Sequence, residues 1–189
     1  MSVTSDYLHK VIEDLPDNMR AEIIDGDIIL NAATPFVRHA FVISHLRDAV
    51  GRVEGLIALE MTTVVLPATE DEFIPDLAYY SIEDLDPDVW LVPANALVMA
   101  VEVLSGKDNS PAARRDRKDK AYSYAASGVP LYLLVDQARK TVVLHSKPAY
   151  NAADAKRDRY STLVQVPYGD SLQLPEPFNL TLDTGIFNN

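Results

Sequence analysis

The chain contains no cysteine. That excludes disulfides, thiolate nucleophiles and cysteine-ligated zinc or iron–sulfur centres, so any metal must rest on carboxylates, carbonyls, imidazole and water. Hard cations such as Mg²⁺ or Mn²⁺ suit those ligands best. Also lacking is any run approaching the ~18 apolar residues that a membrane helix needs. The start, Met1-Ser2-Val3-Thr4-Ser5-Asp6, has neither the basic nor the apolar region of a signal peptide. The expectation is a cytoplasmic protein without membrane association. Basic charge is scarce as well, 17 Lys and Arg against 28 Asp and Glu, for a net charge of −11. A surface so acidic does not clamp a polyanion as a whole, because affinity for nucleic acid rests on Lys and Arg displacing counterions. A local patch can: Lys107, Arg114, Arg115, Arg117, Lys118 and Lys120 place 6 of the 17 basic side chains within 14 residues. The competing reading of such a run is a solvated helix face.

With 189 residues, 48% of them hydrophobic, the chain is long enough for one well-filled core. The expectation is one domain over residues 1–189, with its core over about 20–146 and peripheral strands and an irregular tail over 147–189. Thr4-Ser5-Asp6 offers caps for a helix from Tyr7 to about Leu15. Asp25-Gly26 between two β-branched runs predicts a hairpin over Ala21 to Leu30. Phe36, Ala40, Ile43, Leu46 and Val50 recur at helical spacing, predicting a helix to about Val53 closed by Gly55. Strands are expected over Ile57 to Leu66 and Leu77 to Tyr80, separated by the acidic loop Ala68 to Glu72. Leu97 to Leu104 is apolar except for Glu102 and reads as a central strand buried on both faces. Ser110 is a ready N-cap, Pro111 suits the first helical position, and Gly128 and Pro130 stop the helix after Ser127. The strand Leu131 to Val135 then completes a crossover unit beside Leu97 to Leu104. Overall this is an α/β chain with a central mixed sheet flanked by helices.

Glu102 carries the most information, because an ionised carboxylate in an apolar strand costs several kcal/mol unless it is paired or binds a metal. Asp76 opens another strand, and two carboxylates from different strands can hold one hard cation, with the Val103 carbonyl as a further ligand. A strand-end Asp capping a loop and a Glu paired with an arginine would account for the same residues. Asp116, Lys120 and Tyr124 are spaced by four and share one helix face. If that face meets the Glu102 strand, Lys120 brings a cation to the carboxylates. Otherwise the three are a surface pair above a packed tyrosine.

Glu22 with Gly26, His39, Pro75-Asp76, Glu102-Val103-Leu104-Ser105, Asp116, Lys120, Tyr124, Gly128-Val129-Pro130, Tyr132 and Asp136 occur in an order and spacing that resembles the Uma-type restriction endonucleases of the PD-(D/E)xK nuclease superfamily. The resemblance covers roughly residues 20–146. It implies a restriction-endonuclease-like fold, Asp76 and Glu102 as metal-binding acids, Glu22 as an additional acid of the same site, and a Mg²⁺- or Mn²⁺-dependent endonuclease acting on DNA as a homodimer. Two residues after Glu102, where the superfamily pattern places lysine, this chain has Leu104; the resemblance then assigns the catalytic lysine to Lys120 on the following helix. His39 would orient a water or phosphate, or else serve as a partly buried structural group. A nuclease-fold protein that binds nucleic acid or a protein partner without cutting is the alternative reading.

Overall fold

Asp25 and Gly26 sit at φ 53° and 80°, the left-handed pair that a two-residue hairpin turn requires. They join β1 (Met19–Ile24) to β2 (Asp27–Ala32) in antiparallel register, as the sequence predicts. The computed structural model describes residues 3–32, 34–105, 108, 110–149 and 159–188. Ahead of the hairpin, α1 (Val3–Val11) and a 3₁₀ turn (Ile12–Asp14) cover Ala21 and Ile23 with Leu8, Val11 and Leu15. This helix begins earlier than expected, so Thr4-Ser5-Asp6 fall in its first turn and do not precede it.

After α2 (Val37–Val50), the apolar run expected as one strand breaks in two. β3 (Leu56–Leu59) and β4 (Thr63–Leu66) are separated by a turn in which Met61 has φ 59°, and they enter different sheets. The acidic loop is also shorter than expected, because Asp71 and Glu72 belong to β5 (Asp71–Phe73) and are buried. Each has partners. Asp71 accepts from the Asp25 amide at 2.8 Å and the Ser123 hydroxyl at 2.6 Å, and Glu72 is held by Ser5 and by His9 at 2.9 Å.

The remaining strands are β6 (Leu77–Ser81), β7 (Leu91–Pro93), β8 (Leu97–Leu104), β9 (Leu131–Asp136), β10 (Thr141–Ala149), β11 (Arg159–Pro167), β12 (Ser171–Leu174) and β13 (Leu180–Asp183). They build a five-stranded sheet in the order β2-β1-β5-β4-β7, a six-stranded sheet in the order β11-β10-β9-β8-β6-β3, and the β12-β13 hairpin. The six-stranded sheet is mixed, with β8 parallel to β9 and antiparallel to β6.

The helical segment between β8 and β9 starts on Ser110, whose hydroxyl accepts from the Ala113 amide at 3.1 Å, with Pro111 in the first turn. It runs as α3 (Pro111–Arg114), one π-helical turn (Arg115–Asp119) and α4 (Lys120–Ala126), and ends at Gly128, φ 78°. One face of the six-stranded sheet packs through Ala100, Leu104, Tyr132 and Leu134 on α4 and the five-stranded sheet. The other, through Met99, Val101, Val103 and Leu133, is covered by α2 and by Leu172, Leu174, Phe178, Leu182 and Phe187. The C-terminal segment, expected as peripheral strands and an irregular tail, therefore supplies a wall of the core. Among the described residues no helix is long and apolar enough to cross a membrane.

Candidate active site

Side chains alternate across a strand, so on β8 Glu102 points with Ala100 and Leu104 towards α4 and the five-stranded sheet. The register that pairs Leu77 with Val101 brings Asp76, one residue before β6, alongside Glu102 and Val103. Asp76 Oδ2 accepts from the Val103 amide at 2.8 Å, while Oδ1 lies 3.1 Å from His39 Nε2 and 3.6 Å from an Arg20 guanidinium nitrogen. Val103 thus meets Asp76 through its N–H.

Lys120, the first residue of α4, reaches the same place from the helix. Its Nζ donates to Glu102 Oε1 at 2.8 Å and to Glu22 Oε1 at 2.8 Å, lies 4.0 Å from Asp116 Oδ1, and sits 5.3 Å from the centre of the Phe73 ring. Tyr124 completes the stripe at 3.5 Å from Glu102. The structure therefore gathers Asp76, Glu102, Glu22 and Lys120, contributed by four different elements, and leaves them only 9%, 4%, 2% and 4% exposed. They line the inner end of a cavity of about 360 Å³ that Arg20, Phe36, His39, Met61 and Arg115 also line.

Glu22 is fully engaged. Oε1 takes the Ile74 amide at 2.9 Å besides Lys120, and Oε2 takes Asn31 Nδ2 at 2.9 Å. Its carboxylate is fixed as the mount for the Lys120 ammonium.

Charge at the inner end is divided unevenly. Burial pushes the Glu102 carboxyl well above its ordinary range; Lys120 opposes this, and Asp76, Asp116 and Glu22 add to it. Burial also raises Asp116, against the pull of Lys120. For Asp76 burial acts upward too, but it is outweighed by the His39 imidazole, the Val103 amide and Lys120, and the net shift is down. Burial works to deprotonate Lys120, yet Glu102, Glu22 and Asp116 hold its pKa well above the usual lysine value. Lys120 is therefore a fixed cation.

Among the described residues, no three acid or histidine side chains form a ready cage for a metal ion. The Lys120 ammonium stands between two of the acids. The donor chemistry nevertheless fits a hard cation. Asp76 and Glu102 offer carboxylate oxygens from neighbouring strands, and the upward shift of Glu102, caused first by its burial and then by Asp76, Asp116 and Glu22, is one that a bound cation would oppose.

The basic run divides in the fold. Arg115 lines the cavity, and Arg114 and Lys118 are exposed. Arg117 is turned to Asp136, with Nε at 2.8 Å, and to Asp108, at 2.7 Å. Lys107 lies outside the described residues. Sequence reasoning missed Arg20 and Asn31. A signal existed for Arg20, since Arg20, Glu22 and Ile24 alternate along β1 and all three face the cavity.

A strand that bears a buried acid between one antiparallel and one parallel neighbour, with a crossover helix delivering a lysine to that acid, defines a restriction-endonuclease-like α/β fold. The crystal structure of a putative nuclease belonging to DUF820 from Anabaena variabilis ATCC 29413 has this fold, with a TM-score of 0.67 at 15% identity over 99% of this chain and 97% of that one. The model of the Uma2 family, described as "Putative restriction endonuclease", matches residues 6–185, and the chain belongs to that family. No curated protein matches it.

Proposed function

We propose that the chain is a Mg²⁺- or Mn²⁺-dependent endonuclease that hydrolyses phosphodiester bonds in DNA. The observation that carries this reading is the convergence of Asp76, Glu102, Glu22 and Lys120 at the inner end of one cavity. Asp76 and Glu102 would hold the cation, which supplies Lewis-acid polarisation of a phosphoryl group. Lys120, held protonated, is no proton acceptor; it offers a preorganised positive charge to the phosphoryl oxygens as negative charge grows on them. Glu22 aims that ammonium through the fixed bonds it makes to Ile74 and Asn31. Arg20 and Arg115 add positive charge to the same cavity, where a phosphate must enter past an otherwise acidic surface.

The test is nicking of a supercoiled plasmid and of a single-stranded DNA circle with and without Mg²⁺ or Mn²⁺. Wild type should nick only with the metal, and Glu102→Gln and Lys120→Arg should each lose about 10²-fold or more in rate. If wild type is inert with both ions, or if Glu102→Gln cuts as fast, the reading is overturned. One observation favours a second reading, a nuclease-fold protein that binds without cutting: Lys120 already pairs with both Glu22 and Glu102. Binding without nicking in the same assay selects it.

A further inference from the structure

Two large apolar side chains that line the cavity stand mostly in water, Phe36 at 82% exposure and Met61 at 60%. Met61 also has φ 59°, a conformation that costs a residue with a Cβ. Val37 and Phe41, 71% and 60% exposed, extend the apolar surface along α2. An ion pair of 2.6 Å between Arg47 of α2 and Glu60 ties the turn that carries Met61 to this helix. Asp76, Glu102, Glu22 and Lys120 lie at the inner end of the same cavity, which Arg20 and Arg115 also line.

We propose that this cavity receives a single strand of nucleic acid, with Phe36 and Met61 packing against the face of a base while its neighbouring phosphate enters towards Asp76 and Glu102. The inference rests on the nuclease reading and names its substrate class. Three observations favour a single strand over a duplex. Asp76 and Glu102 are less than a tenth exposed, so a phosphate must be inserted to reach them. A cavity of about 360 Å³ has the size of a small-ligand site and takes one nucleotide unit, not the width of a paired helix. The net charge of −11 opposes the long track of phosphate contacts on which duplex binding depends, whereas stacking on an aromatic ring supplies affinity without charge and accepts any base. The same charge, carried by both copies, also disfavours a second copy of the chain as the cover for Phe36, and Arg20 and Arg115 in the cavity point to an anionic occupant.

The test measures binding separately from cutting. Fluorescence anisotropy in Ca²⁺ would compare a short single-stranded DNA, the RNA of the same sequence and the DNA duplex, with a 2-aminopurine placed in each single strand. Either single strand should bind wild type at least about tenfold more tightly than the duplex, with quenching of 2-aminopurine. Phe36→Ala should weaken single-strand binding by about 5- to 100-fold and abolish the quenching, Met61→Ala should weaken it less, and Phe36→Tyr should retain both signals. The proposal is overturned if the duplex binds as tightly as the single strands, if Phe36→Ala binds like wild type, or if sedimentation shows that Phe36→Ala merely dissociates a dimer. Phe36-dependent single-strand binding without nicking would preserve this inference and remove the nuclease reading. Duplex nicking untouched by Phe36→Ala would do the reverse, and a chain that neither binds nor cuts removes both.

Discussion

Asp76 and Glu102 lie side by side, yet their surroundings move them in opposite directions, and stability should show it. Asp76 is lowered, so its ionised form contributes stability that is present above the ordinary value of 3.8 and is lost as pH falls through its folded pKa. Glu102 is raised, so the stability it contributes is present below its ordinary 4.5 and is lost as pH rises through its folded pKa. At pH 7 without metal, Asp76→Asn should therefore destabilise by about 1–3 kcal/mol, while Glu102→Gln should be neutral or stabilising. Near pH 3 the Asp76→Asn difference should shrink. Thermal denaturation at the two pH values checks both signs, and a loss on Glu102→Gln as large as that on Asp76→Asn contradicts the charge assignment. Lys120 tests the same cluster from its cationic side. Lys120→Met strands Glu22 and Glu102 without their shared ammonium and should cost about 3–5 kcal/mol in chemical denaturation. Lys120→Arg should recover most of that loss.

The π-helical turn Arg115–Asp119 decides how one helix serves two jobs. Inside an α-helix the Asp116 carbonyl would be occupied by the ladder alone; here the Tyr132 hydroxyl of β9 donates to it at 2.7 Å. The widened turn keeps Asp116 within 4.0 Å of Lys120 while Arg117 points away to Asp136. Tyr132→Phe removes the outside donor and should cost about 1 kcal/mol. For a chain of this length that lowers Tm by about 2–4 °C, and an unchanged Tm would show that the turn holds itself. Nothing in the sequence announces a π-turn, because Arg115–Asp119 holds no buried residue and so carries no apolar repeat in which a change of phase could be read. Elements with chemical punctuation were legible: Asp25-Gly26 for the β1–β2 turn, Ser110-Pro111 and Gly128 for the crossover helix, and a lone acid in an apolar run for β8. Phase was harder. On α2 the buried positions are His39, Val42, Ile43, Leu46 and Val50, so Phe36 and Ala40, expected within the stripe, face solvent. A helical repeat fixes spacing, but it does not choose between neighbouring stripes when Phe36, Val37, Ala40 and Phe41 are all apolar. The break at Met61 was illegible for a related reason, since left-handed backbone at a methionine has no sequence signature.

At the scale of the whole molecule, the site forms where the two sheets and the crossover helix meet, and it draws its titratable groups from several elements distant in sequence. Glu22 comes from the five-stranded sheet, Glu102 from the six-stranded sheet, Asp76 from the residue that leads into its strand β6, and Lys120 from the helix between β8 and β9. Binding a cation there ties those layers together, and anything that binds the folded state alone raises its stability. At a Mg²⁺ or Mn²⁺ concentration 100-fold above its dissociation constant the gain is about 2.7 kcal/mol, which corresponds to a rise in Tm of about 5–10 °C for a chain of this size. A net charge of −11 complicates the reading, because any salt screens repulsion among the 28 acidic side chains and stabilises without a specific site. The control is NaCl at equal ionic strength, and only the excess rise in the divalent ion counts. That excess should vanish in the Asp76→Asn, Glu102→Gln double variant, which keeps Glu22, Lys120 and nearly all of the surface charge. It should persist in Arg114→Glu with Lys118→Glu, where the acids are untouched and the reversed cations are exposed residues that do not line the cavity. Calorimetric titration supplies the stoichiometry, expected as a site lost in the first variant and retained in the second. If Mg²⁺ and Mn²⁺ raise Tm no further than NaCl does, Asp76 and Glu102 hold no cation, Lys120 is their permanent counter-charge, and the non-cutting reading takes the place of the nuclease.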